Sequence, residues 1–281
     1  MTLLVLSHFQ ITPLLEAKRA DQSRVETSLD LGLSKVEVTL VDEGIIFPDG
    51  QQIDWMHLEE MHANENACFH IQDNLVEAIQ AYSELTNRFY SLLPTTNAPT
   101  MLVAGFTMHR IVGTDPYRDT MHKIKAVAPI GGRVLDTTTG LGYTAIEAAK
   151  TATEVVTIEL DPVAQDIARL NPWSQALFNN PKIQQRIGDS GEEIEQFTDE
   201  TFSCLIHDPP AFSLAGELYS SAFYRQAYRV LKRKGRMFHY LGNPNSKAGA
   251  SLIKGVTRRL REAGFTRTVQ KPEAFGIVAY K

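Results

Sequence analysis

From Gly132 to the end of the chain, short apolar runs alternate with segments of helical spacing, and this alternation restricts the possible folds most. The strand-like runs are residues 134–136, 155–159, 183–188, 202–207 and 236–241; the helical patterns are 143–151, 162–170, 221–231 and 251–263. Repeated strand–helix units need crossover connections, so their strands lie parallel under helices on both faces. The tail "TRTVQKPEAFGIVAYK" has no helix between its two strand-like runs, which predicts a closing antiparallel strand. The expected fold class is α/β: a Rossmann-like doubly wound sheet with a terminal antiparallel strand, plus a small N-terminal β-rich appendage.

The texture before that point differs. Apolar residues alternate in "VEVTL", "GIIF" follows, and "FPDG" supplies a turn, because Pro48 fixes φ and Gly50 tolerates positive φ. The first fifty-odd residues therefore read as a small β-meander, with "QQIDW" starting its next strand. The run "MTLLVLSHFQ" is apolar but short and lacks a basic leader, so it reads as a strand rather than a signal peptide or membrane span. Residues 75–93, "LVEAIQAYSELTNRFYSLL", carry apolar residues at helical spacing with Pro94 just after them, which predicts a helix. "PTTNAP" reads as a linker and "TMLVAGFTM" as a strand. "GTDPYRDTMHKIKAV" reads as a helix with Thr114 as its N-cap. The boundary falls near residues 95–112, dividing the chain into an N-terminal β/α appendage, 1–95, and an α/β domain, 96–281.

Composition narrows the function classes. Hydrophobic residues make up 43% and charged residues 22% of the 281, ordinary for a globular protein. The net charge of −5 gives no global field to attract a polyanion, so a nucleic-acid substrate would need a local basic patch. Only Cys68 and Cys204 occur, too few for a disulfide framework or a cysteine metal site, and a reducing cytoplasmic location is expected.

In an open α/β sheet, ligands bind beyond the carboxyl ends of the strands. The first strand ends in "RVLDTTTGLGYTAIEAAK", an acid, a Thr/Gly turn and a helix. Gly140 and Gly142 let the backbone approach a ligand closely, and the helix start offers amide donors. Glu159 ends the second strand ("VVTIELD"), Asp189 follows the third ("IQQRIGDS"), and Asp208 ends the fourth ("CLIHDPPAF"). Taken singly, such acids are caps or turn formers. Four in succession, each at its own strand tip with Asp136 the first, point to a ligand cleft.

Residues 107–281 resemble the class I S-adenosylmethionine-dependent methyltransferases. The family's first turn, acid-x-Gly-x-Gly-x-Gly, is matched by "DTTTGLG" at the acid and the last two glycines, with Thr138 in place of the first glycine. The resemblance implies S-adenosylmethionine as cofactor, with Asp136 and Gly140 near its methionine portion, Glu159 on the ribose and Asp189 facing the adenine amine. The Thr138 hydroxyl can bond the cofactor's carboxylate or the loop itself. A nicotinamide cofactor is the runner-up, disfavoured because a dehydrogenase usually shows three glycines and further βαβ units.

The acceptor side carries "HDPPAF", similar to the Asp/Asn-Pro-Pro-aromatic motif of methyltransferases acting on amino nitrogens. The resemblance implies that Asp208 or a neighbouring carbonyl accepts from the acceptor amine while Phe212 stacks on it. Pro209 and Pro210 stiffen the loop and leave carbonyls to face the substrate. Carbon-5 methylation of cytosine needs a cysteine nucleophile; Cys204 lies four residues before the strand tip, which speaks against it. The expected partner is therefore a methyl acceptor in RNA or a small amine, with no membrane and a possible homo-oligomer through the appendage. A second resemblance, in "GELYSSAFYRQAYRVLKRKGRMFHYLG" and "VVTIELDPVAQDIARLNPWS", is to spermidine synthases, which transfer an aminopropyl group from decarboxylated S-adenosylmethionine. Their fourth-strand motif uses two acids; Asp208 matches the first, and Ala211 stands at the second. His109 and Arg110 in "GFTMHRI", and His207, His239 and Tyr240, are further residues with chemical potential. Asn243 and Asn245 are expected to shape the rim, and "KRKGR" to sit at a solvated helix end.

Overall fold

A computed structural model describes residues 3–212 and 215–281; the first two residues of the "MTLLVLSHFQ" run lie outside the described residues. The chain divides into two compact units, one comprising Met1–Tyr117 and Val163–Gln175, the other Arg118–Pro162 and Ala176–Lys281.

The first unit opens with β1 (Leu4–Leu6) and α1 (His8–Arg19), followed by β2 (Arg24–Thr27), β3 (Val36–Val41), β4 (Gly44–Ile46), β5 (Gln52–Asp54) and α2 (Trp55–Ala63). Strands β2 to β5 form the expected meander, each antiparallel to the next. The opening run is only partly a strand. Ser7 caps α1, its amide donating to Gln10 Oε1 at 3.1 Å, and the helix continues through Pro13. Asp54 caps α2, accepting from the His57 amide at 2.8 Å.

The helix expected over residues 75–93 is corrected: the structure holds three strands there. After β6 (Phe69–Gln72) come β7 (Leu75–Ala78), β8 (Gln80–Ser83) and β9 (Arg88–Leu93), then β10 (Thr100–Val103) and β11 (Phe106–Thr107). β7 pairs with β6, which pairs with β1, while β8 to β11 build a separate antiparallel sheet. Ile79 is the joint, its amide donating to Cys68 and its carbonyl accepting from Leu92. Asn74 and Asn87, at φ 64° and 54°, turn the chain between strands, which asparagine tolerates better than most residues. Within the same unit, the Trp173 indole donates to the Leu31 carbonyl at 3.1 Å and the neighbouring Pro172 is buried.

Helix α3 (Pro116–Val127) begins at Pro116, so Asp115 rather than Thr114 directly precedes it. From Arg133 onward strands and helices alternate as the sequence predicts, with α6 and α7 as additional short helices and with residues 163–175 belonging to the first unit: β12 (Arg133–Asp136), α4 (Tyr143–Ala149), β13 (Glu154–Glu159), α5 (Pro162–Arg169), α6 (Gln175–Asn179), β14 (Ile183–Ile187), α7 (Ser190–Glu193), β15 (Phe202–His207), α8 (Ser221–Val230), β16 (Leu231–Tyr240), α9 (Lys247–Glu262), β17 (Arg267–Lys271) and β18 (Gly276–Tyr280). The sheet order is β14-β13-β12-β15-β16-β18-β17, parallel from β14 to β16 and antiparallel at β18 and β17.

Register explains why these strands read as nearly continuous apolar runs. Leu135, Val156, Leu205, Met237 and Ala279 are cross-strand neighbours on one face; Asp136, Ile206, Phe238 and Val278 are neighbours on the other. All are buried, so the sheet is covered on both sides. "KRKGR" is corrected as well: it begins β16 rather than ending a helix. Lys232, Arg233 and Lys234 are exposed where the register shifts between Phe202 and Cys204, and Lys234 takes φ 63°. Among the described residues no helix is long and apolar enough to cross a membrane.

Candidate active site

The strand order reverses between β12 and β15, and the loops beyond that switch point carry the acids. Asp136 ends β12 fully buried. Its Oδ2 accepts from Thr144 at 3.0 Å and Thr157 at 3.2 Å, while Oδ1 is buried without a hydrogen-bond partner. Burial pushes its carboxyl up to about 7, the Asp208 charge adding to the shift. An orphaned, buried carboxylate oxygen at a strand tip suits a ligand's donor group.

The turn from Thr137 to Gly142 is tied to every neighbouring strand tip. Gly140, at φ 52°, donates its amide to Glu159 Oε2 at 2.8 Å; the other Glu159 oxygen accepts from the Asp161 amide at 3.1 Å. Burial raises the Glu159 pKa against those two bonds. A Cβ at Gly140 would meet nothing within 4 Å, so the turn presents bare backbone to open space. Gly142 differs: at φ 77° it caps α4, and a Cβ there would lie 2.7 Å from Leu177. Asp189 caps α7, its Oδ1 accepting from the Gly191 amide at 2.6 Å, and the neighbouring Ser190 hydroxyl donates to the Thr137 carbonyl. Gly188 donates to the Glu159 carbonyl at 2.8 Å.

The proline loop after β15 is held equally firmly. Thr138 Oγ1 donates to the Asp208 carbonyl at 2.8 Å, a partner in the loop after β15 rather than in its own turn. Tyr219 donates to the Pro210 carbonyl at 2.9 Å and meets the Phe212 ring edge-on at 5.3 Å. Two of the carbonyls expected to face the substrate are therefore used internally, because a loop short of amide donors is fixed by hydroxyls from outside. Phe212 is 53% exposed.

Lys123 went unnoticed in the sequence. Its ammonium lies 2.5 Å from Asp208 Oδ2 and 2.9 Å from Asp119 Oδ2, and 4.8 Å from the centre of the Tyr240 ring. The side chain is 2% exposed, and the two carboxylates raise its pKa against the burial that would lower it. Asp119 and Lys123 share a face of α3 at i, i+4 spacing, the one visible signal; the partner 85 residues away left none.

The candidate histidines are engaged by protein partners. His207 is fully buried: Nε2 donates to the Leu218 carbonyl at 2.9 Å, Nδ1 accepts from Thr137 at 2.7 Å, and the ring stacks on Phe223. Burial lowers its pKa to about 3, so the ring is neutral. His239 lies 4.4 Å from it, ring to ring, and its Nε2 bonds the Tyr224 hydroxyl. His109 bonds Thr100 at 3.0 Å. After β16 the Asn243 side chain accepts from the Asn245 amide while Ser246 caps α9. Both cysteines are buried, and burial pushes the Cys204 thiol up to about 12, which disfavours its thiolate.

No protein-family model matches the chain. It is 42% identical over 286 residues to an uncharacterized protein, MJ1233, of Methanocaldococcus jannaschii, covering 99% of this chain and 97% of that one. The chain belongs to the MJ1233 family. A polyamine aminopropyltransferase of Thermococcus onnurineus is 26% identical over 173 residues, and the chain spans 59% of that protein's length. A spermidine synthase solved with the transition-state analogue AdoDATO superposes on this MJ1233-family chain with a TM-score of 0.59 at 18% identity, covering 74% of this chain and 76% of that one. The spermidine synthase of Thermotoga maritima gives 0.57 at 19%, covering 76% and 73%, and MNMC2 of Aquifex aeolicus 0.51 at 17%, covering 68% and 70%. At such identities the likeness is one of fold. It is a Rossmann-like fold of the kind these spermidine synthases and MNMC2 have.

Proposed function

We propose that this protein is an S-adenosylmethionine-dependent methyltransferase acting on an amino nitrogen of RNA or of a small molecule. The observation that carries the reading is the bond from Thr138 to the Asp208 carbonyl, which joins a glycine turn suited to the cofactor to a proline-stiffened lip suited to an amine. The residues fit the cofactor: Gly140 opens bare backbone, Glu159 lies against that turn to take ribose hydroxyls, and Asp136 keeps an unpartnered oxygen for a donor on the methionine portion. Asp189 at its loop start takes the adenine amine. When bound, S-adenosylmethionine supplies a methyl group activated by a sulfonium. Asp208 accepts from the acceptor's amino group and turns its lone pair toward that methyl, and Phe212 covers the acceptor's plane. Positioning supplies most of the rate in such an in-line displacement.

Aminopropyl transfer from decarboxylated S-adenosylmethionine is the second reading, supported by the polyamine aminopropyltransferase among its relatives and by the spermidine synthases of like fold. Ala211, where a second acid is needed, weighs against it. The deciding experiment incubates the protein with methyl-labelled S-adenosylmethionine and fractionated extract. Label in RNA or a small amine, abolished by Glu159→Ala, supports methyl transfer. Tighter binding of the decarboxylated cofactor, with no methyl label in any fraction, overturns it.

A further inference from the structure

Two carboxylates and an aromatic face converge on one point beside the acceptor lip. Asp119 comes from α3, Asp208 from the tip of β15, and Tyr240 from the end of β16. Carboxylates pair with ammonium ions by charge and hydrogen bond, and an aromatic face attracts them through its quadrupole, so the group is an ammonium cage by chemistry. The protein fills it with the Lys123 side chain, almost wholly buried and 2.5 Å from Asp208. A buried ammonium must be compensated, and here two anions and a ring compensate it.

We propose that Lys123 determines the class of acceptor: its ammonium occupies the cationic position at the lip, so the site takes an uncharged amino group on a planar group and excludes an alkylammonium. The inference rests on the amino-nitrogen reading above and narrows it. A diamine brings its own positive charge and would have to displace a tethered cation from Asp208, with like charges in contact. An aromatic or nucleobase amine is neutral at neutral pH and can donate to the Asp208 carboxyl without placing a second cation beside Lys123. A catalytic acid with no such cation beside it would leave the choice open.

The test titrates 1,4-diaminobutane and n-propylammonium into the wild-type protein and Lys123→Ala by calorimetry. n-Propylammonium replaces the side-chain atoms that substitution removes. The wild type should show no saturable binding of either cation. Lys123→Ala should bind n-propylammonium at least tenfold more tightly than the wild type does, with a rise in Tm that n-propanol does not reproduce and that Lys123→Ala/Asp208→Asn lacks. A folded Lys123→Ala protein with no such gain would overturn the proposal. If that variant does not fold, the wild type still decides: diamine binding that is lost in Asp208→Asn overturns it, and its absence at millimolar diamine supports it. Failure of the methyltransferase reading is seen separately, as absence of methyl label with the wild type, whatever the cation titrations give.

Discussion

The Thr138 hydroxyl and the Asp208 carbonyl, 70 residues apart in sequence, lie 2.8 Å apart and join the turn after β12 to the loop after β15. Where the methyltransferase turn usually has glycine, this chain has a side chain that spans the switch point. A hydrogen bond of this kind contributes about 1 kcal/mol net. We expect Thr138→Val to lower unfolding free energy by about that amount in urea titrations, and to reduce transfer rate more than cofactor affinity. Thr138→Ser should restore both.

The two glycines of the turn separate by mechanism. Gly140→Ala meets no atom but must hold a left-handed backbone, which costs a non-glycine residue about 1–2 kcal/mol. Gly142→Ala carries the same strain and drives a methyl group to 2.7 Å from Leu177. Denaturant midpoints should therefore fall further for Gly142→Ala. Calorimetry with S-adenosylmethionine should show the larger affinity loss, relative to stability, for Gly140→Ala.

Asp136 and His207 give stability opposite pH slopes. Asp136 rises from 3.8 to about 7 on folding, so between those values the native state holds a proton the unfolded chain has released, and stability falls as pH rises. His207 drops from 6.5 to about 3, so the unfolded chain takes up the proton first, and stability falls as pH drops through that range. Urea midpoints measured from pH 4 to 8 should show Asp136→Asn gaining on the wild type as pH rises toward 7. Because His207 stays neutral above pH 5, it should contribute no inflection to the transfer rate between pH 6 and 8.

Phe212 stands 53% exposed in the proline loop and meets the Tyr219 ring edge-on. Phe212→Ala should leave stability within about 0.5 kcal/mol, as substitutions outside the core do. It should raise KM for an aromatic acceptor several-fold while cofactor affinity stays constant. An unchanged KM would remove the stacking role.

The second unit was legible because its signals are local and mutually consistent: apolar runs the length of a strand, acids at their tips, glycines where positive φ is needed. The N-terminal unit was less so. Residues 75–93 read as helical because their apolar letters recur at helical spacing, whereas the buried positions Ile79, Ser83, Tyr90 and Leu92 follow the separate alternation of short strands. "LTNR" was the overlooked turn signal, and Ser7 with Gln10 the overlooked capping box. Lys123 was illegible for a different reason. A lysine on an amphipathic helix reads as solvated, and the anion that buries it arrives from the far side of a topology that spacing does not encode.

The Trp173–Leu31 bond shows that the strand–helix half of the gene encodes part of the first unit's interior. A fragment beginning at Arg118 would part residues 163–175 from the rest of their unit and leave the Trp173 indole without its Leu31 acceptor. Trimming the chain to its strand–helix half, or grafting the N-terminal piece elsewhere, must therefore handle two separate stretches of chain at once.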